Sequence, residues 1–219
     1  MDPKFIAVFL GIGVVVVVGL WAGRQIADPQ RRDAGVEGNT RLTGYVAMVL
    51  LIPLAAEIIT GIRPGLLAHA LTGFLLVPPV LLKLGSVGYR FVRYYAGDPR
   101  YRAGGPPQLI LRLIGPAFVL LTLALFGTGI ELWLFGLQFG DQWLIWHKAT
   151  FVLWFLAMTI HVVAYIRRAP ELAIEDSRDP LPGATARRAL VVGSLLLGAA
   201  LVIAMLPFQS PFTLPPGAG

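Results

Sequence analysis

Long apolar runs with very few charges restrict this chain's fold more than any other feature. Six are read, over 5–23, 44–62, 65–87, 109–135, 143–166 and 189–206. Each is long enough to cross a bilayer as a helix, which takes about 20 predominantly apolar residues, with tilt absorbing the difference. The strands of a membrane β-barrel are shorter and alternate in polarity, so a barrel does not fit. With 56% of 219 residues hydrophobic and 14% charged, a soluble domain could not hide this much apolar surface. The expected fold is all-α: one membrane domain over 1–219, a bundle of about six transmembrane helices in contact with the lipid bilayer. The first run is read as a retained helix rather than a cleaved signal peptide. It is long, lacks a clear small-residue cleavage site, and is followed by Arg24, Arg31 and Arg32.

Basic residues then set an expected orientation. Arg24, Arg31, Arg32 and Arg41 follow the first run. Arg90, Arg93, Arg100 and Arg102 follow the third, with Arg112 just beyond, and Arg167, Arg168, Arg178, Arg187 and Arg188 follow the fifth. The opposite side carries only Lys4, Arg63 and Lys148. By the positive-inside rule the three long loops face the cytoplasm of a bacterial-type membrane and both termini face outward. The uncharged, proline-rich end, 207–219, is expected to be an irregular outward tail. The net charge of +6 reports this topology rather than nucleic-acid binding. No phosphate-binding "GxxxxGK" occurs, and the absence of cysteine excludes disulfides, iron–sulfur ligation and covalent c-type haem.

All three histidines of the chain fall inside apolar runs. His147 and His161, in "WHKATFVLWFLAMTIHVVAY", are fourteen residues apart, just under four helical turns. They share a helix face, separated by a rise of about 21 Å, one near each membrane surface. Phe151, Trp154 and Met158 fill that face between them. His69 lies in "LLAHALTGFLLVPPVLLKLGS", about five residues into the third run, as His147 lies about five residues into the fifth. Both runs cross in the same direction, so the two imidazoles match in depth near the outer face. Two neutral imidazoles across a helix bundle suit the axial positions of a b-type haem. Gly73, one turn below His69, leaves room for a flat macrocycle. Zinc would need further ligands that the sequence does not place. The plainer alternative is that the histidines hydrogen-bond to neighbouring helices or join an aromatic belt with Trp143 and Trp146.

Fourteen residues after His69 stands Lys83, at the depth of His161. Two readings stay open: Lys83 snorkels to the headgroups, or it pairs with His161 as a ligand of a second haem. Met48 is a weaker candidate at that depth. Pro78 and Pro79 between the two levels are expected to kink the third helix.

"HALTG" at 69–73 and "HKATFVLWFLAMTIH" at 147–161 resemble the transmembrane di-haem cytochrome b subunits of formate dehydrogenases and nickel–iron hydrogenases. More narrowly, the chain is similar to small bacterial membrane cytochromes associated with molybdopterin-dependent oxidoreductases. The resemblance covers the third to fifth runs, roughly half the chain. It implies a subunit that carries haem b, anchors redox-protein subunits, and passes electrons between them and quinone. The chain departs from the two-haem pattern at Lys83, where that pattern has histidine.

Other polar groups complete the reading. Glu57, near the depth of His69, either handles a quinol proton or pairs with Arg63. Arg63 and Lys148 are candidate partners for the propionates of the outer haem. Glu131 is expected to end the fourth helix at the interface. The loop "GYRFVRYYAGDPRYRAGGPP" is read as a positive-inside loop with an aromatic belt, or as a docking surface or an arginine clamp for propionates. The expected function is therefore a b-type cytochrome with haem between the third and fifth helices. His69 and His147 are the expected ligands, and His161 with Lys83 form a second candidate site. The alternatives are a haem-free anchor or assembly subunit, and a small transporter.

Overall fold

The computed structural model describes residues 3–26, 33–62, 66–106 and 108–208. Within these the protein is helical, with no strand. The elements are α1 (Pro3–Arg24), α2 (Ala34–Ile62), α3 (Leu66–Tyr95), α4 (Pro99–Arg102), α5 (Leu109–Phe135), α6 (Gln142–Tyr165), α7 (Arg168–Arg178) and α8 (Ala184–Met205). A short 3₁₀ turn over Leu206–Phe208 follows. Among the described residues, α2, α3, α5, α6 and α8 are long and apolar enough to cross a membrane, and α1 contributes a shorter apolar stretch. The chain is an integral membrane bundle. Apolar side chains such as Phe9, Val14, Leu113, Leu196 and Ile203 are exposed on its outside, as lipid-facing residues must be.

The helices form two groups. In one, α3 packs on both α2 and α8, and its core joins Val46 and Leu50 of α2 to Leu76 and Val80 of α3 and Val191 of α8. In the other, α6 packs on both α1 and α5. A limited α3–α5 contact joins the groups. So does Trp133 of α5, which is 1% exposed, rests edge-on against Phe74 at 5.4 Å, and donates to the Met205 carbonyl at 3.1 Å. The backbones of α3 and α6 scarcely meet, because a cavity lies between them.

Tight crossings inside each group depend on missing side chains, as expected where helices gain nothing by hiding apolar surface from lipid. A Cβ on Gly198 of α8 would lie 2.3 Å from the Leu75 carbonyl oxygen of α3. One on Gly23 of α1 would lie 2.7 Å from the Ala164 carbonyl of α6. Backbone cannot step aside cheaply, so Gly198→Ala is expected to lower stability by about 1–3 kcal/mol. Thermal unfolding in detergent measures this, and an unshifted midpoint would contradict the crossing.

Five of the six expected runs fall on helices long and apolar enough to span, the first falls on the shorter apolar stretch of α1, and several helices extend beyond the expected bounds. α2 begins ten residues before 44, and α3 continues to Tyr95, so much of the Arg–Tyr loop is helix. Past the bilayer core a helix needs only internal hydrogen bonds and local pairs. Thr40 and Thr43 bond back to Val36 and Asn39, and Glu37 meets Arg41 at 3.4 Å. α3 runs as helix through Pro78 and Pro79 without interruption. The loop expected after the fifth run contains α7, an amphipathic helix packed on α2. Its buried Asp176 pairs with Arg187 of α8, and Arg188 donates to the Asp176 carbonyl at 3.0 Å. Arg41 donates to the Glu175 carbonyl at 3.3 Å. Arg41 and Arg187, read from sequence as topology signals, are buried structural groups. The tail beyond 208 lies outside the described residues, as do Arg31, Arg32 and Arg63.

Candidate functional site: a two-level cavity between the helix groups

The cavity between α3 and α6 has a volume of about 1560 Å³. That exceeds the roughly 300–1,000 Å³ of an ordinary small-molecule pocket. Its walls are largely apolar, and it runs the length of the face shared by His147 and His161. Phe151, Trp154 and Met158 line it between them. All three histidines, Lys83, Glu57, Gly73, Met48 and Lys148 line it as well.

At one level His69 and His147 face each other, their ring centres 6.1 Å apart and their planes at 79°. The Nδ1 atom of each ring is held by a neighbouring helix. His69 Nδ1 lies 3.1 Å from the Glu57 carbonyl oxygen and 3.2 Å from Glu57 Oε1. His147 Nδ1 lies 2.9 Å from the Thr128 hydroxyl of α5, which also donates to the Ala124 carbonyl at 2.8 Å. Neither Nε2 has a hydrogen-bond partner among the described residues. Glycines admit both rings: a Cβ on Gly61 would lie 3.0 Å from His69 Cε1, and one on Gly129 would lie 3.3 Å from His147 Cε1. Gly73 also lines the cavity beside Glu57. Its added Cβ would meet Glu57 Oε1 at 3.2 Å, so it lets that carboxylate reach His69.

The donor set suits two axial ligands of one metal atom. Two metal–nitrogen bonds of about 2.0–2.1 Å, plus about 1.1 Å from each nitrogen to its ring centre, give a centre-to-centre distance of about 6.3 Å. Histidine ligands usually have the second ring nitrogen tied to a carboxylate, carbonyl or hydroxyl, which fixes the tautomer and the ring orientation. Both rings meet that condition. Among the described residues no group of three or more histidine, aspartate, glutamate or cysteine side chains could form a closed metal cage. The residues therefore fit a group that supplies its own equatorial ligands, as haem does.

The second level differs. His161 stacks on Phe118 at 5.3 Å and 22°, with Tyr165 at 5.0 Å on α6 itself. Lys83 lies close enough to interact electrostatically with His161. Its amine donates to the Thr43 carbonyl of α2 at 3.2 Å, beside an α2–α3 cluster in which Ser86 donates to Asn39 Oδ1 at 2.7 Å. Lys83 thus turns toward the cavity and α2. Among the described residues no hydrogen bond to the His161 ring corresponds to those at His69 and His147. Trp154, buried between the levels, donates to the Thr122 hydroxyl at 3.0 Å.

Glu57 sits where its sequence depth places it, against His69, with Oε2 buried and unpartnered among the described residues. Its suggested partner Arg63 lies outside those residues. Glu131 stands four residues inside the end of α5, with both carboxylate oxygens buried and without a hydrogen bond among the described residues. Sequence reasoning missed Gly61, Thr128 and Gly129. The paired glycines of "GTG" at 127–129, inside an apolar helix, were the available signal of a close approach.

No family model, curated protein or solved structure matches the chain.

Proposed function

We propose that this protein is a membrane-bound b-type cytochrome that carries electrons between quinone and a redox-protein partner, with one haem between α3 and α6. The observation that carries the reading is the His69–His147 pair, 6.1 Å apart across a large apolar cavity, each ring held at Nδ1 by another helix. A haem bound there would supply reversible one-electron chemistry. His69 and His147 would offer Nε2 to it. Thr128 and Glu57 would hold the rings in the required tautomer, and Lys148, which lines the cavity, would offer a cation to a propionate. Glu57, with one oxygen on His69 and one unpartnered, is the candidate to accept a quinol proton. The resemblance of "HALTG" and "HKATFVLWFLAMTIH" to di-haem cytochrome b subunits supports the same reading. The arginine-rich loops support a cytoplasmic position for the end of the bundle that bears them, with both termini outward.

The direct test is a reduced-minus-oxidised spectrum of the purified full chain, with iron quantified per chain. A b-type α band and one iron are expected; the absence of any Soret band would refute the proposal. The haem-free anchor is the second reading. The Thr128–His147 and Glu57–His69 hydrogen bonds favour it, since they would also clasp helices without a cofactor. Thr128→Val separates the two. If Thr128 supports a ligand, haem affinity falls about 10–100-fold, measured by haem transfer to an acceptor globin, while helix content is unchanged.

A further inference from the structure

The cavity has a side window near its second level. Toward the His69–His147 end α3 and α5 meet through Phe74 and Trp133 at 5.4 Å, and Phe126 of α5 packs on the core that α3 shares with α2 and α8. They meet again at the far end, where Arg112 Nε donates to the Tyr95 hydroxyl at 2.8 Å. Between Phe126 and Tyr95 the two helices stand apart. A Cβ on Gly88 of α3 or Gly115 of α5 would meet nothing within 4 Å among the described residues, and both glycines line the cavity. Phe91 and Leu120 line it too, yet are 52% and 66% exposed. Gly88 follows Lys83 by five residues, and Gly115 precedes Phe118, which stacks on His161, by three. The window is therefore within about 8 Å of rise of both groups.

Lys83 is the charged group behind this window. It lines the cavity, donates to the Thr43 carbonyl at 3.2 Å and meets no carboxylate among the described residues. Arg90, near it on α3, adds a second positive charge. Glu57, the one carboxylate among the described residues lining the cavity, stands at the other level. An amine so placed can carry its charge only beside an anion.

We propose that the second level binds a free long-chain fatty acid, its carboxylate on the Lys83 amine with His161 nearby, and its chain leaving for the bilayer between Gly88 and Gly115. One carboxylate needs one cation, so no other basic group has to converge on it. The acid can pass the apolar window neutral and transfer its proton to the Lys83 amine. Carboxylate and ammonium then form together, and neither charge crosses alone. An uncharged lipid would leave the amine without an anion. The site does not depend on the haem reading, which concerns the other level.

The test uses the purified full chain in phosphatidylcholine nanodiscs carrying oleate or methyl oleate, with retained lipid read by native mass spectrometry. One oleate per chain, and no methyl oleate, is expected. Lys83→Met removes a hydrogen bond between charged groups, which contributes about 10–100-fold in affinity, so oleate retention should fall by that factor. Gly115→Leu keeps Lys83 but fills the window, and is likewise expected to lose oleate. The open space at Gly115 makes this the deciding variant if Lys83→Met fails to fold. Equal retention of oleate and methyl oleate, or oleate retention unchanged in either variant, would overturn the proposal. So would displacement of oleate by an equal amount of phosphatidylglycerol, or two haems per chain with one lost in Lys83→Met, since the lysine would then serve a phosphate or an iron atom.

Discussion

Replacing His69 with alanine is expected to abolish the b-type spectrum, and His147→Ala is expected to do the same. In the proposed site the two rings are the donors to the iron, and each has one nitrogen not already hydrogen-bonded among the described residues. Loss of the group that hydrogen-bonds a ligand costs a metal site about 10–100-fold in affinity, so loss of the ligand itself should cost more. His161→Ala is the internal control. It removes a histidine of equal size from the same cavity wall, and the proposal leaves the spectrum intact there. A spectrum that survives both His69→Ala and His147→Ala would refute the ligand assignment. Loss of half the haem in His161→Ala would show that the second level is also a haem site.

The second large effect lies away from the cavity. Asp176→Ala is expected to destabilise the bundle by about 3–5 kcal/mol, the usual cost of stranding one partner of a buried ion pair. Asp176 is 2% exposed and Arg187 is 7% exposed. Arg187 also donates to the Pro182 carbonyl at 3.0 Å, so the guanidinium cannot leave for water without breaking the α7–α8 turn. Asp176→Leu combined with Arg187→Met should recover much of the loss, because replacing both charges removes the stranded ion. Recovery should be incomplete, since the Pro182 carbonyl loses its donor. Thermal unfolding in detergent, followed by helical circular dichroism, measures both variants. A single variant as stable as the parent would contradict the buried pair.

The membrane spans were legible because bilayer thickness imposes a length and a composition on every spanning helix. The interfacial helices were not. The first turns of α2 and all of α7 mix charges with apolar residues, so no long apolar run marks them in the sequence. Pro78 and Pro79 do not end α3, which has a neighbouring helix on either side as it passes through them. At the site, the pairing of His69 with His147 followed from depth alone, since fixed rise per residue converts sequence position into height. Depth also put Glu57 at the right level. It could not reveal that Glu57 meets His69, nor that Thr128 meets His147, because height says nothing about azimuth between helices. Lys83 shows the same limit: its height matches His161, but its hydrogen bond goes to Thr43.

The division of the bundle into two helix groups bears on how the protein is made. Each group has its own tight crossings, at Gly198 in one and Gly23 in the other, and can associate soon after membrane insertion. Among the described residues the seam between them is held by Trp133, by the α3–α5 contact and by α7, which follows α6 directly and packs on α2. An occupant that binds only the closed arrangement stabilises it in proportion to its occupancy. The cofactor would then act as a keystone set last, and chains that never receive it would be the open, protease-sensitive form that quality control removes.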